Sequence, residues 1–341
     1  MPHRTFLTFI WPSALAMLLF IALPIVSVAV QSLYVEHEQV VETVRNCGPF
    51  GCKDVEVVNS AAAAQLKSES PLGRFNGLGT YVNRNHLAFD EIADAWRSAT
   101  GPASFFAKVL NLPFYKALAF TLTYTFVVTP LVLVLGFLIA LAVNRIPSIY
   151  KGPTIFVSLL PMIVTPLIGS LILFWMIDSR GILGNAIQWL ASDPDLSLKA
   201  STGLTWIMLI VYGVWHSAPF AFVVFYAGLQ TLPMDQIESA KVDGASRWEQ
   251  VRYVIIPHLM PLITFVALIQ LMDNFRVFEP IFGFNAEAHA TSLSWIIFND
   301  LGGETRQLSA AATTSMLTIF GVAILLTPVL WRTWQDFKGK S

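Results

Sequence analysis

Charged residues are scarce in this chain of 341 residues. Lys, Arg, Asp and Glu make up 13% of the sequence against 55% hydrophobic residues, and the mean hydropathy is +0.61. This composition is typical of an integral membrane protein and excludes the two or three soluble domains that the length alone would allow. The net charge of -1 gives no basis for a nucleic-acid partner.

Cysteines and nucleotide-binding motifs are also scarce. The two cysteines, Cys47 and Cys52, are too few for a disulfide scaffold, but they allow a single bridge if their segment faces an oxidising compartment. The sequence contains no G-x-x-x-x-G-K-[ST] motif, so the chain does not cradle nucleotide phosphates in the usual way. We expect no catalytic residue, no metal site and no cofactor on this chain, and any energy input must come from another subunit.

Six apolar segments are long enough to cross a membrane. They predict an all-α integral membrane protein with six transmembrane helices, at residues 5–33, 115–143, 154–177, 204–230, 259–282 and 308–331. The first is read as an uncleaved span, because its apolar run is longer than that of a signal peptide and no small-residue cleavage site closes it. Several prolines lie in or beside these segments and favour kinked helices that line a pathway: Pro24, Pro130, Pro161, Pro166, Pro219 and Pro280.

A long polar section separates the first two spans. We divide the chain into the first span with its N-terminal tail (1–34), a small extracytoplasmic insertion of mixed structure (35–113) and a core with five spans (114–341). Within the insertion, residues 89–96 predict a short amphipathic helix.

Lysine and arginine in the short loops predict the orientation. If the N-terminus is inside, the cytoplasmic set is Arg4, Arg145, Lys151, Lys241, Arg247, Arg252, Arg332, Lys338 and Lys340, and the outer set is Arg180, Lys199 and Arg306. This excess predicts that both termini and the loop that contains Glu238 are cytoplasmic and that the Cys47 segment faces outward.

The one long charged interval between apolar segments of the C-terminal half is residues 236–257. Asp235 is a plausible N-cap for a helix that ends near Asp243, and Gly244 suits a left-handed cap before a second helix from about Ser246. Ala240 and Gly244 would leave the surface shallow, so that another backbone can approach closely. An apolar stripe completes a surface built for docking, at Val242, Ala245, Trp248 and Val251.

This interval resembles the EAA loop of permease subunits of binding-protein-dependent ABC importers, particularly the sugar-permease branch (maltose/glycerol-phosphate type). The matching positions are Glu238, Ala240, Asp243, Gly244, Ala245, Trp248, Ile255, Pro257 and Pro261, and Ser239 departs from the usual second alanine. Further matches are 144–145, 160–161, 181–185, 213–219, 227–233 and 275–281, so the resemblance covers about residue 114 to the C-terminus. Residues 285–289 depart from the Gly-Gly-Pro turn common in the family.

The resemblance implies the type I importer permease fold and a transport subunit of a bacterial inner membrane that is not an enzyme. It implies that Glu238, Ala240, Asp243 and Gly244, within the loop 231–258, couple to the ATPase. The implied partners are a second homologous permease subunit, two ATPase subunits that bind ATP and Mg, an extracytoplasmic solute-binding protein and the lipid bilayer.

Polar residues inside the spans mark the candidate solute path, because polar groups in hydrocarbon usually face a cavity. At helical spacing they form two faces: Gly213, His216, Ser217 and Phe220 on the fourth span, and Gln270, Asp273, Asn274 and Val277 with Arg276 on the fifth. Two such faces suit a hydroxyl-rich, carbohydrate-like solute. An alternative is that Asp273 and Arg276 only pair within their helix, and that His216 only packs.

Three other interpretations remain open. If Arg276 faces the cavity unpaired, an anionic sugar derivative or a glycerol phosphodiester becomes the expected solute, because guanidinium binds sulfonate or phosphate oxygens in bidentate fashion. A secondary transporter would use Asp273 and Glu279 as ion-coupling acids, but its usual internal repeats are not evident. A membrane sensor would bind its ligand in the outer insertion, and it leaves the Glu238 pattern unexplained.

Overall fold

The computed structural model describes residues 2–37, 41–48, 51–302 and 306–338, which are mainly helical. The helices are α1 Pro2–Met17, α2 Leu23–Gln31, α3 Ser60–Glu69, α4 Gly79–Val82, α5 Phe89–Arg97, α6 Pro102–Leu110, α7 Pro113–Arg145, α8 Ser148–Ile163, α9 Pro166–Met176, α10 Ile182–Ala191, α11 Thr202–Gln230, α12 Met234–Val242, α13 Arg247–Gln250, α14 Ile256–Phe275, α15 Glu279–Gly283, α16 Leu293–Gly302 and α17 Leu308–Lys338. The strands are β1 Tyr34–Val35, β2 Val41–Gly48, β3 Gly51–Val58 and β4 Arg74–Phe75.

Five helical stretches in the described residues are long and apolar enough to cross a membrane. They are Thr8–Gln31, Pro113–Arg145, Thr202–Gln230, Arg247–Phe275 and Leu308–Gln335. They fall on five of the six predicted segments, so the prediction of a multi-pass helical membrane protein is confirmed.

The predicted third span is not one continuous helix. It consists of α8 and α9, which meet at a bend of 92°. Thr165 precedes Pro166 and is extended (ψ 146°), because the proline ring disfavours the helical conformation of the preceding residue. The segment predicted as the third span, residues 154–177, is therefore broken next to Pro166, one of the prolines expected to kink the spans.

Contacts at both ends of α7 and α11 show that these two helices run parallel. Near their N-terminal ends, the rings of Phe120 and Trp206 lie 5.0 Å apart. Near their C-terminal ends, Gln230 Nε2 donates a hydrogen bond of 3.0 Å to Asn144 Oδ1. Because both helices point the same way, the bent pair α8–α9 between them carries the chain back from one end to the other.

The fifth span ends earlier than predicted. Helix α14 stops at Phe275, residues 276–278 are not helical, and Phe282 belongs to the short helix α15. The first span contains a π-helical turn at Leu18–Ala22, shortly before Pro24, whose missing N–H removes one helical hydrogen bond.

The chain divides into two compact units. The first comprises Met1–Tyr115 and Ile296–Ile319, and the second comprises Lys116–Trp295 and Phe320–Ser341. In the first unit, the region after α2 mixes both structure types: β2 pairs with β3 and β1 with β4, both antiparallel, and α5 is the predicted amphipathic helix. His86 anchors this region to α17, because its Nε2 lies 3.1 Å from Thr314 Oγ1 and 3.2 Å from the Ala310 carbonyl oxygen.

In the second unit, α7 and α11 pack at close range. The fully buried side chains Phe120, Val128 and Val132 recur at helical spacing on one face of α7. At Gly136 a Cβ atom would overlap the backbone of Phe222, so only glycine allows this approach.

Candidate functional site

The turn between α12 and α13 is fixed by a helix C-cap centred on Gly244. Its φ of +81° is in the left-handed region that favours glycine. The Ala245 N–H donates to the Ala240 carbonyl at 2.9 Å, and the Gly244 N–H donates to the Lys241 carbonyl at 3.0 Å. These two bonds form a Schellman motif, and the predicted role of Gly244 in the turn is confirmed.

The next helix begins with a capping box, as its sequence S-x-x-E indicates. Ser246 N–H donates to Glu249 Oε2 at 2.7 Å, and Glu249 N–H donates to Ser246 Oγ at 3.3 Å. The start of α12 differs from the prediction: Pro233 is the N-cap, and Asp235 lies in the first turn, where its charge complements the helix dipole.

The predicted coupling residues lie on an accessible surface. Glu238, Asp243 and Gly244 are exposed, and Ala240 is half-buried. Of the predicted apolar stripe, Val242 is 88% and Trp248 67% exposed, whereas Val251 is buried in the core and Ala245 is half-buried. The stripe is therefore divided, and its two large exposed side chains are available to a partner.

A cleft of about 660 Å³ opens between α12 and the start of the fifth span. It is lined by Asp235, Gln236, Ser239, Ala240, Asp243, Tyr253, Val254, Pro257 and His258. Two of the four predicted coupling residues, Ala240 and Asp243, line this cleft.

A separate, polar cavity of about 440 Å³ lies among the apolar helices of the second unit. Its lining residues are Tyr124, Pro166, Tyr212, Gly213, His216, Ser217, Asp273, Asn274, Arg276, Val277, Glu279 and Pro280. They come from α7, α9, α11, the end of α14 and the start of α15, so the cavity depends on the tertiary packing of five elements.

Two of the breaks between helices adjoin the cavity. The break between α8 and α9 exposes carbonyl groups, two of which accept hydrogen bonds from α11: His216 Nε2 lies 3.0 Å from the Val164 oxygen, and the Tyr212 hydroxyl donates to the Pro166 oxygen at 2.7 Å. The break between α14 and α15 contributes Arg276 to the lining. Irregular backbone at membrane depth is tolerated where it lines a cavity, which is what both breaks do.

The cavity carries three charged groups. Arg276 Nη2 is 2.9 Å from Asp273 Oδ1, and both side chains are about half exposed. Glu279 is exposed, and no ion pair joins it to any residue that the structure describes. The predicted pairing of Asp273 with Arg276 is therefore present, and it occurs at the cavity rather than away from it.

Two glycines make room for the tyrosines of the cavity. A side chain at Gly213 would overlap the Tyr124 hydroxyl, and one at Gly169 would crowd the Tyr212 hydroxyl. Gly213 thus lines the cavity and also admits a side chain from α7 to it.

The structure brings together most of the predicted path residues. Gly213, His216, Ser217, Asp273, Asn274 and Arg276 all line the cavity, whereas Phe220 and Gln270 do not. Buried Gln270 accepts a hydrogen bond from Asn274 Nδ2 at 3.4 Å, and the same Nδ2 donates to Thr129 Oγ1 at 3.0 Å. Val277 reaches the cavity from beyond the end of α14, so its predicted place on one continuous helical face is wrong.

Sequence reasoning missed three important lining residues. Tyr212 is one helical turn before His216 and could have been found by extending that face. The sequence suggested Glu279 only as an ion-coupling acid of a secondary transporter. Tyr124 carries no signal in the sequence, because only packing brings α7 against Gly213.

Cys47 and Cys52 are cross-strand partners in the hairpin of β2 and β3. Directly opposite residues in such a pair have Cα atoms about 4.5–5.5 Å apart, within the range that a disulfide spans. Their side chains lie outside the described residues, so the bridge stays a prediction.

The chain is similar to known transport proteins. Residues 100–334 match the family described as binding-protein-dependent transport system inner membrane component. The chain is 27% identical over 233 residues to the probable ABC transporter permease protein y4oQ of Sinorhizobium fredii, covering 67% of this chain and 73% of that one. It is 30% identical over 183 residues to the trehalose transport system permease protein SugA of Mycobacterium tuberculosis, covering 53% of this chain and 58% of that one.

A third relative is the galactooligosaccharides transport system permease protein GanP of Bacillus subtilis, 29% identical over 243 residues, or 67% of this chain and 55% of GanP. The matched region thus spans little more than half of SugA and GanP. Among solved structures, a bacterial ABC transporter involved in the import of the acidic polysaccharide alginate aligns with a TM-score of 0.56 at 21% identity, over 82% of this chain and 96% of that one. This likeness shows the shared fold.

The family match covers more than half of the chain and includes the α12–α13 turn and the polar cavity. The predicted resemblance to sugar permeases is confirmed, as is the prediction of a transport subunit that is not an enzyme. The chain belongs to the family of inner membrane components of binding-protein-dependent transport systems, the permease subunits of ABC importers.

Proposed function

We propose that this chain forms part of the translocation path for a sugar or sugar-like solute and transmits to it the ATP hydrolysis of a separate subunit. The observation that carries the proposal is the polar cavity among the apolar helices. Ionisable side chains such as His216, Asp273 and Arg276 are costly among apolar helices, and they usually mark a path or a binding site.

The surface at the α12–α13 turn is the coupling element in this proposal. It is exposed, it has a rigid turn fixed by the C-cap at Gly244, and a cleft lies beside it. Glu238, Ala240, Asp243 and Gly244 are the residues proposed to contact the ATPase. Because this surface is continuous in sequence with α11 and α14, which both line the cavity, its displacement can reach the path directly.

The proposed assembly contains a second homologous permease, two ATPase subunits and an extracytoplasmic solute-binding protein. In this proposal both termini and the Glu238 loop lie in the cytoplasm. The chain then crosses the membrane six times, if α8 and α9 are counted as one span. The apolar span Thr8–Gln31 can contact lipid or a partner subunit, because none of its most apolar 18 residues is buried within the chain.

A carbohydrate is the solute that the named relatives suggest, since two of them carry trehalose and galactooligosaccharides in their names. The cavity supports an uncharged carbohydrate over the anionic alternative, because Asp273 neutralises the Arg276 guanidinium that an anion would need. Hydroxyl-rich solutes match a lining of histidine, serine, asparagine and tyrosine side chains.

The test is ATP hydrolysis in lipid vesicles that contain this chain together with the proposed partners, a second permease, an ATPase and a solute-binding protein. Glu238→Lys should abolish the stimulation by solute-loaded binding protein, because it inverts a charge on the docking surface. Glu238→Asp keeps the charge at the same exposed position and should keep the stimulation. Full stimulation with Glu238→Lys would refute the coupling assignment.

A further inference from the structure

The unpaired carboxylate of Glu279 decides the charge of the polar cavity. Asp273 and Arg276 cancel each other at 2.9 Å, and Glu279 has no ion-pair partner among the described residues. The three charged groups of the lining therefore sum to one negative charge. In a cavity walled by apolar helices such a charge is screened less than it would be in bulk water.

The uncharged polar groups of the cavity differ in what they can still bind. The Tyr212 hydroxyl and His216 Nε2 both donate hydrogen bonds to backbone carbonyl oxygens. Because a carbonyl oxygen only accepts, Nε2 is the protonated nitrogen in this contact. Tyr124 is only 3% exposed, lines the cavity, and its hydroxyl makes no hydrogen bond with any described residue. A buried tyrosine hydroxyl normally finds a partner, which indicates that a bound solute or water supplies it.

We propose that Glu279 is a charge-selectivity residue of the path, and that the cavity accepts uncharged polyhydroxylated solutes and rejects anionic ones. This inference rests on the proposed function, because it takes the cavity as part of the solute path. Glu279 accepts hydrogen bonds from solute hydroxyls, and the Tyr124 hydroxyl gives or accepts another. A carboxylate, sulfate or phosphate on the solute meets like charge and finds no free guanidinium, so specificity arises from repulsion as well as attraction.

The charge of the cavity can be measured without knowing the solute. In the full-length chain in membrane vesicles, Ser217→Cys places a thiol in the lining. The rates of its modification by a cationic trimethylammonium-ethyl and an anionic sulfonato-ethyl methanethiosulfonate are followed by mass spectrometry of the peptide that contains residue 217. The ratio of the cationic to the anionic rate at the introduced thiol is divided by the same ratio for a small free thiol in solution. This normalised ratio reports the local electrostatic potential, because the intrinsic reactivity of the thiol cancels.

We expect the normalised ratio to favour the cationic reagent. Glu279→Gln should lower this ratio by at least about fivefold, the effect of one charge roughly 8–9 Å away at the dielectric of bulk water, and by more where the screening is weaker. Glu279→Asp should keep the ratio high. Asp195→Asn, which removes a carboxylate from an outlying exposed loop, should leave the ratio unchanged.

A ratio that Glu279→Gln does not change would overturn the proposal, and so would a ratio that favours the anionic reagent. A thiol that neither reagent modifies would overturn it as well, since the cavity would then be closed to water. The measurement needs no ATPase, so failure of the ATP hydrolysis test with Glu238→Lys would leave its result standing.

Discussion

Substitution of Gly244 separates two requirements of the proposed coupling surface, its backbone conformation and its shallow shape. The residue has a φ of +81°, yet a Cβ built on it would meet no atom within 4 Å. A side chain there therefore strains the backbone without any clash inside the chain. Any steric effect must come from a partner.

The magnitude follows from the backbone conformation. Placing an L-residue in the left-handed region costs about 1–2 kcal/mol, and asparagine tolerates it better than other residues. Gly244→Ala should thus lower the population of the native turn by about 5- to 30-fold relative to its alternatives, whereas Gly244→Asn should keep the turn largely intact. Because the C-cap bonds to Ala240 and Lys241 depend on this turn, Gly244→Ala should also let the end of α12 fray.

The assay is solute-stimulated ATP hydrolysis by the reconstituted importer, with hydrogen exchange at residues 240–246 as the measure of the turn. We expect Gly244→Leu to abolish the stimulation, and Gly244→Asn to impair it although exchange stays slow, because its side chain occupies space that the partner needs. Gly203→Asn is the control, at an open glycine of ordinary φ at the start of α11. Full stimulation with both Gly244→Asn and Gly244→Leu would refute the argument that a shallow surface is needed.

Three other predictions follow from the structure. Asn274→Ala should reduce solute transport with little change in basal ATP hydrolysis, because the Asn274 amide lines the cavity. Thr129→Val breaks the hydrogen bond between Thr129 and Asn274 without altering the lining, so it should have the smaller effect. Equal uptake of several sugars by Asn274→Ala and the parent would contradict this prediction. Cys47 and Cys52 should form a disulfide, and mass spectrometry of non-reduced peptides would disprove it by finding both thiols alkylated in fresh membranes. Burial lowers the pKa of His86 below its ordinary value of 6.5, so the unfolded chain takes up the proton first. The contact between residues 79–97 and α17 should therefore be fully stable above pH 6.5 and weaken as the pH falls through and below that value. Hydrogen exchange in residues 79–97, corrected for the intrinsic rate, should become faster at low pH. A pH dependence that persists in His86→Gln would refute this prediction.

The sequence alone determined the features that depend on neighbouring residues. Segments of about 20 apolar residues identify spans because hydrocarbon excludes polar groups, whatever the packing. The turn at Gly244 and the capping box at Ser246 were predictable because their hydrogen bonds join residues three to five positions apart. The N-cap of α12 was misassigned because aspartate is favoured both at the N-cap and in the first turn of a helix, and Asp235 lies in the first turn.

Only the tertiary structure decided how the polar cavity is built. Helical periodicity indicated which faces carry polar groups, but it could not show that Gln270 turns to Asn274 or that Phe220 stays out of the lining. The bend of 92° after Ile163 needed more than Pro166, since other prolines lie inside helices that continue, as Pro219 does in α11. It is stabilised by hydrogen bonds from His216 and Tyr212, about fifty residues away in the chain.

The approach of Tyr124 to Gly213 shows the physical reason most directly. The sequence around Tyr124 and Gly213 does not predict their contact. The contact forms only because α7 packs against α11 and Gly213 leaves space for the Tyr124 hydroxyl. The charge of the cavity is decided in the same way, since Arg276 is neutralised and Glu279 is left unpaired by the positions of their side chains after α14 ends. Local sequence sets where helices begin, end and turn, whereas long-range packing sets which side chains meet.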